Sequence, residues 1–389
     1  MIAVLRNTRM TSPDRLQSFL LADPGNAELA CELADALFAQ GRFDEARRAL
    51  LSLPEERQLI LAVRFRLARY GLMQGDYAGA EAGFAQLTAQ GHPVPALWHD
   101  LAFAQLCQGH LAPARATLAE AESRFGADSA RTVLAARIAL FERNYPAAEH
   151  ELLRALELEP VHPVAMGLRA LASLDSGDPD TAGTLADNCL AQYPDQHEAL
   201  LVAGTVALWR RELVQADTAF ERALGWHPGS GRALSGMGQL LLLREQLEGG
   251  RALLERAVSA MPDHIGTWHA LAWAQLLCGD QQAAELSYQR AYDLDRNFAE
   301  SHGGLALVAA LDGRTEEADA AIRRALRLDP ACLTARYARS LRLQDMGETA
   351  QADELLADLF SPGPMPAGIG DVREFATRLR ARLGNRAAG

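Results

Sequence analysis

Ten histidines and five cysteines are the residues of this chain that could hold a metal or act as nucleophiles. A helical zinc site needs two ligands one turn apart, as in H-E-x-x-H. No two histidines here are spaced i,i+4, and His92, His162 and His227 each precede a proline, which places them in turns. Cys31, Cys107, Cys189, Cys278 and Cys332 lie far apart, are odd in number and form no C-x-x-C pair. That argues against a disulfide framework or a zinc site, and for small buried thiols in a reducing compartment. No G-x-x-x-x-G-K-[ST] loop is present to cradle a phosphate, and no G-x-S-x-G turn to present a serine. The expectation is a protein that is not an enzyme and uses no cofactor or metal.

The bulk composition narrows the remaining classes. The chain has 389 residues, 49% apolar and 23% charged. It is too apolar to be disordered and too long for one ordinary core, so several domains or a repeat array is expected. Fifty acidic residues stand against 38 basic ones, a net charge of −12. This acidity argues against general affinity for nucleic acid or anionic membranes, both of which need a basic face. There is no lysine at all, so every basic residue is arginine. Arginine-favouring codons or escape from lysine-directed modification would each account for that. Ile2–Leu5 is too short for a secretory signal, and apolar runs such as Leu240–Leu243 are far short of a membrane span. A cytoplasmic protein without membrane insertion is expected.

Periodicity organises the chain. Stepping by 34 from Ala46 reaches Ala80, Ala114, Ala148, Ala182, Ala216, Gly250, Ala284, Ala318 and Ala352. A second series from Ala34 reaches Ala68, Ala102, Ala136, Ala170, Gly204, Gly238, Ala272, Ala306 and Ser340, all small. Between the ladders, apolar side chains recur at helical spacing, as in Trp98, Leu101, Leu106 and then Ala114, Leu118, Ala121. A glycine or polar break separates the two runs of each unit, from Gly41 through Arg143, Arg211 and Glu245 to Gly347. Prolines such as Pro160, Pro194 and Pro228 close many units. Each unit reads as helix, turn, helix, break, with small residues where the helices cross.

At that spacing the chain resembles a tetratricopeptide repeat (TPR) array. Trp98-His-Asp-Leu101-Ala102 and Trp268-His-Ala-Leu271-Ala272 match the opening of the family's pattern, and Ala216 to Phe220-Glu-Arg-Ala223 its middle. The resemblance implies an all-α fold, a right-handed superhelical α-solenoid with a capping helix at each end. Ten units would cover 27–366, with residues 1–26 as an N-terminal segment and capping helix. Residues 367–389 would be a linker and a C-terminal capping helix carrying Phe375, Leu379 and Leu383, with a frayed end. Arg169 and Arg339 stand at a normally apolar position, and Gly249-Gly250 should weaken the second helix of unit seven, so those units should be the least regular.

In TPR proteins the first helices line the inner, concave wall. By that resemblance, inward side chains come mainly from the second, fifth, ninth and twelfth positions of each unit. The candidate partner-binding residues are Phe65, Arg69, His99, Phe103 and Arg137 early in the chain. Later in the chain they are Leu201, His269, Trp273, Leu307 and Tyr337. No ninth position is asparagine, unlike arrays that grip a peptide main chain, and a lysine-free chain lacks the lysine clamp that holds chaperone C-termini. The expected partner is a protein or peptide client and no nucleic acid, with the oligomeric state open. The expected role is a cytoplasmic scaffold, an adaptor or chaperone in assembly or secretion of a bacterial complex. The alternatives are a regulatory or substrate-recruiting subunit of a separate enzyme, or a peptide-sensing regulator.

Overall fold

The computed structural model describes residues 12–360 and 380–381, and every element among them is a helix. The chain divides into two compact units, Met1–Asp178 and Pro179–Gly389. The first begins with α1 (Pro13–Ala22), the pair α2 (Ala27–Ala39) and α3 (Phe43–Leu51), and a single turn, α4 (Glu55–Gln58). The pairs α5 (Leu61–Met73) with α6 (Tyr77–Ala89) and α7 (Pro95–Cys107) with α8 (Leu111–Phe125) follow. The pair α9 (Ser129–Phe141) with α10 (Tyr145–Leu158) and then α11 (Pro163–Asp175) complete it.

The second unit opens on α12 (Pro179–Gln192), then α13 (His197–Trp209) with α14 (Leu213–Trp226) and α15 (Gly231–Leu243) with α16 (Leu247–Ala260). It continues as α17 (Ile265–Leu277) with α18 (Gln281–Leu294), α19 (Ala299–Leu311) with α20 (Thr315–Leu328), and α21 (Leu333–Asp345) with α22 (Thr349–Phe360). Within each unit the long helices pack on their successors, and the first helices of consecutive pairs also touch. This is the layout of an all-α repeat solenoid.

Local chemistry sets the helix ends. Asn26, Asp76, Asp128, Asn144 and Asp280 each accept a backbone N–H of the helix they precede, meeting donors that would otherwise be orphaned. Two histidines do the same work: Nδ1 of His162 accepts from the Ala165 N–H and Nδ1 of His264 from the Thr267 N–H, both at 3.2 Å. The turn inside each pair enters the left-handed region at Gly41, Gly75, Gly109, Gly177, Gly279, Gly313 and Gly347, and equally at Arg143, Arg211 and Glu245. Both small-residue ladders are buried along their whole length, which lets the helix axes approach closely.

Irregularity falls elsewhere than expected. The second helix of unit seven, α16, runs unbroken. A Cβ on Gly250 would stand 2.9 Å from the Gly238 carbonyl oxygen and 2.8 Å from Leu242 Cδ2, so the glycine serves a close crossing. Arg169 turns outward to bond Glu149 at 2.7 Å, and Arg339 is exposed, so neither disturbs its helix. The broken helix is in unit one, where Pro54 lacks an N–H and restricts Leu53, splitting the second helix into α3 and α4. At the N-terminal end Leu16 and Leu20 of α1 are buried, while Phe19 faces outward under the Arg15 guanidinium. Phe375, Leu379 and Leu383 lie outside the described residues. Arg380, which is described, donates to Gln344 Oε1 at 2.9 Å and pairs with Asp345 on α21.

Candidate functional site

A first helix buries one stripe against its own partner and the neighbouring pairs, and leaves another stripe to solvent. In the first unit the candidate residues stand on α5, α7 and α9. Phe65 is half-buried, edge-on to Phe84 at 5.9 Å, with the Arg69 guanidinium 5.8 Å from its ring centre. Arg69 Nε is 3.8 Å from Asp100 Oδ2, an ion pair without a hydrogen bond. Asp100 is buried, and its Oδ1 accepts from His99 Nδ1 at 3.0 Å. The structure thus brings Arg69 and His99 to one carboxylate, with Phe65 against the Arg69 guanidinium. Phe103 is exposed on the same helix as His99, and Arg137 is half-buried on α9.

Asp35, which shares the ninth position with Arg69, is engaged between pairs. It accepts from Arg66 Nε at 3.0 Å and Nη2 at 2.8 Å, and from the Tyr70 hydroxyl at 2.8 Å. Burial, with the Asp35 charge adding to it, pushes the Tyr70 phenol well above its ordinary range. Phe38 stacks on Tyr70 at 4.4 Å. This cluster ties α5 to α2 and engages both Asp35 oxygens within the fold.

In the second unit the candidates separate into two groups. Leu201, Leu307 and Tyr337 are buried in helix packing. Burial raises the Tyr337 phenol, and its hydroxyl has no hydrogen-bond partner. Trp273 is half-buried, packed on the cluster that contains Leu307, Tyr337 and Leu341. His269 touches Ser301 Oγ at 3.0 Å and lies against Tyr288 and Phe298. Burial lowers its pKa to about 4, while Glu300 pulls weakly the other way, so the ring is neutral near pH 7. His269 is therefore a core histidine with one polar contact. Among the described residues no group of three His, Cys, Asp or Glu is placed to hold a metal ion. Burial pushes the Cys189 thiol up to about 11 and the Cys332 thiol up to about 12, which makes both poor nucleophiles.

Sequence reasoning passed over the thirteenth position of the repeat, one turn beyond the ninth on the same helical face. It carries exposed Met73, Cys107 and Phe141 in the first unit and exposed Trp209 and Leu243 in the second, while Leu277 and Leu311 are half-buried there, Ala39 is small, and Asp175 and Asp345 are charged. Met73 is 64% exposed, Phe141 68% and Trp209 58%, at the end of a helix whose other large apolar residues are mostly buried. The signal was available as a third series at the 34-residue step. It escaped notice because an apolar ladder reads as core until its exposure is known.

Models of the tetratricopeptide repeat match residues 14–64, 133–197, 265–298 and 299–332. These matches fall on helix pairs whose crossings and turns repeat in register. The chain is a tetratricopeptide repeat protein. No curated protein matches it in sequence. Among solved structures, the TPR chain resembles human IFIT1, as a dimer with PPP-AAAA, at 16% identity and a TM-score of 0.55 over 99% of this chain and 97% of that one. A monomeric mutant of IFIT1 with Gppp-AAAA aligns at 15% identity and a TM-score of 0.56, covering 98% and 96%. At such identity the likeness shows the fold alone.

The IFIT1 structures nevertheless correct one expectation. Nucleic acid was set aside as a partner because the whole chain is acidic, yet solenoids of this fold are solved with RNA oligonucleotides. Net charge is a global quantity, while binding answers to the potential of the wall that meets the ligand, so the sum is no ground for exclusion. TPR repeats as a class serve as interaction scaffolds and are generally non-catalytic. No helix among the described residues is long and apolar enough to cross a membrane.

Proposed function

We propose that this TPR protein holds a client protein against the solvent-facing stripe of its first helices, as an adaptor or chaperone with no reaction of its own. The observation that carries this reading is the exposed apolar series at position thirteen. Single exposed apolar residues need no explanation, but their recurrence at one register position makes a line of contacts for a partner. Methionine and aromatic side chains are the types that gain most when a partner covers them. In the first unit Met73 shares α5 with Arg69 and Phe141 shares α9 with Arg137, while Phe103 stands on α7 between them, which suits a client segment bearing apolar side chains and a carboxylate. In the second unit Trp209 and Trp273 are the corresponding anchors. Tyr337 and Leu307, being buried, support Trp273 from behind. A reducing, cytoplasmic setting fits five free thiols. A bacterial assembly or secretion pathway is part of the proposal and rests on composition alone.

The test compares the wild-type chain with the variant Met73→Ala/Phe103→Ala/Phe141→Ala. Both are immobilised, exposed to lysate, and read by mass spectrometry of what they retain. The reading expects retained clients to fall by about tenfold or more, with far-ultraviolet circular dichroism unchanged. Equal retention by the two proteins removes the proposal. The RNA held by IFIT1 supplies a second occupant to be tried, by fluorescence anisotropy with a triphosphate RNA oligonucleotide. Tight RNA binding that the triple variant leaves intact would move the function away from protein clients.

A further inference from the structure

Ten repeats in register serve as a ruler, because a residue that the fold does not need stands out against nine equivalents. At the third position the preceding units carry half-buried Leu29 and buried Val63 and Leu97, and the six later ones carry alanine, threonine or serine. Unit four alone has a charge there. Arg131 is only 7% exposed. At the seventh position Leu33, Leu67 and Leu101 give way in the same unit to Ala135. Unit four thus sets a small side chain beside a buried arginine; unit six has alanine at the same position, Ala203, but no charge at its third.

Arg131 and Ala135 both line a cleft of about 580 Å³ between α8 and α10, with α9 as its floor. Leu118, Ala135, Ile138 and Ala139 supply an apolar surface, and Arg131 lies among the lining residues. A guanidinium has five N–H donors, and burying it is unfavourable unless they are met. Arg131 makes one side-chain hydrogen bond, from Nη2 to the Gly126 carbonyl at 3.0 Å. Its Nη1 stands 3.5 Å from Asp128 Oδ2, and its Nε is buried with no hydrogen-bond partner. Around the rim Arg115 pairs with Glu142, and Arg154 bonds Glu122 at 2.6 Å and Glu151 at 2.9 Å.

Three arginines therefore face four carboxylates, those of Glu122, Asp128, Glu142 and Glu151. A plain anion reaching Arg131 would meet repelling charge, and a plain cation would meet Arg131. We propose that this cleft binds a small zwitterion of the α-amino-acid class with an apolar side chain. The ligand carboxylate takes the unmet donors of Arg131, the ammonium group takes the glutamates of the rim, and the side chain lies on Leu118 and Ile138. The site belongs wholly to the first unit and is independent of the client-binding stripe.

Titration calorimetry of the full chain with each of the twenty standard amino acids tests it. At least one apolar amino acid should give saturable heat. Its deaminated and its decarboxylated analogues should each bind at least about tenfold more weakly. Arg131→Met should abolish the heat. Ala135→Leu restores the leucine of the three preceding units, so it keeps the repeat packing while filling the cleft, and should abolish the heat too. No saturable heat with any of the twenty would overturn the proposal. So would binding that Ala135→Leu leaves unchanged, or a deaminated analogue that binds as well as its parent.

Discussion

The left-handed turns inside the repeats allow a quantitative test of how the sequence specifies the fold. Seven of the ten turns place glycine at φ between 73° and 91°, and three place Arg143, Arg211 and Glu245 at 55°, 61° and 61°. These three side chains are exposed. A Cβ in this conformation crowds the following carbonyl oxygen at a cost of about 1–2 kcal/mol. Glycine relieves that crowding, but its freer unfolded chain takes back about 0.5–1 kcal/mol. Each change to glycine should therefore stabilise by about 0.5–1 kcal/mol. The sites lie at least a repeat apart in sequence, so Arg143→Gly/Arg211→Gly/Glu245→Gly should gain about 1.5–3 kcal/mol if they add. Equilibrium urea unfolding followed by far-ultraviolet circular dichroism reads the change, with Gly75→Arg as the reverse control. A triple variant no more stable than wild type, or a control that costs nothing, would refute the steric reasoning.

Two further outcomes follow from the packing of the second unit. A Cβ on Gly304 would come within 2.2 Å of the Tyr288 ring, which is fully buried, so Gly304→Ala should destabilise by about 1–3 kcal/mol. Tyr288→Leu in the Gly304→Ala background should return part of that loss in the same urea assay, and strict additivity would contradict the contact. His269 is neutral in the folded state, with its pKa lowered to about 4 from an unfolded value near 6.5. The unfolded chain then binds more protons between those values, so stability is full above about pH 6.5 and declines as pH falls toward about 4, by roughly 2 kcal/mol at about pH 5. His269→Gln should remove that part of the slope, and an unaltered pH dependence would contradict the assignment.

Much of the fold was legible because it repeats. The ladders through Ala34 and Ala46 located the helix crossings, and all their members are buried. The break position located the turns even where arginine or glutamate replaces glycine, since register rather than residue type decides the backbone there. The proline at 54 was also in plain view, yet the split of α3 from α4 was missed, because a proline four residues early still looks like a repeat-closing proline. Gly249-Gly250 was misread in the opposite sense. Glycine weakens an isolated helix, but here it permits an approach that no Cβ would allow.

The candidate site was less legible. Arg69 and His99 meet at Asp100 with Phe65 against Arg69, whereas Leu201, Leu307 and Tyr337 disappear into the packing. All six occupy fifth or ninth positions, and register alone gives them equal standing. What separates them is the size of the side chains that neighbouring pairs bring up against them.

By itself the sequence determined the repeat, its length, its helix ends and its turns, because these follow from spacing, capping and backbone sterics within a few residues of chain. Only the tertiary structure decided which apolar ladder is core and which is surface, that Asp35 is bound by Arg66, and that Arg131 is buried beside a cleft. Those outcomes depend on contacts between helices roughly a repeat apart, where volume and charge pairing set the result and the 34-residue period carries no information.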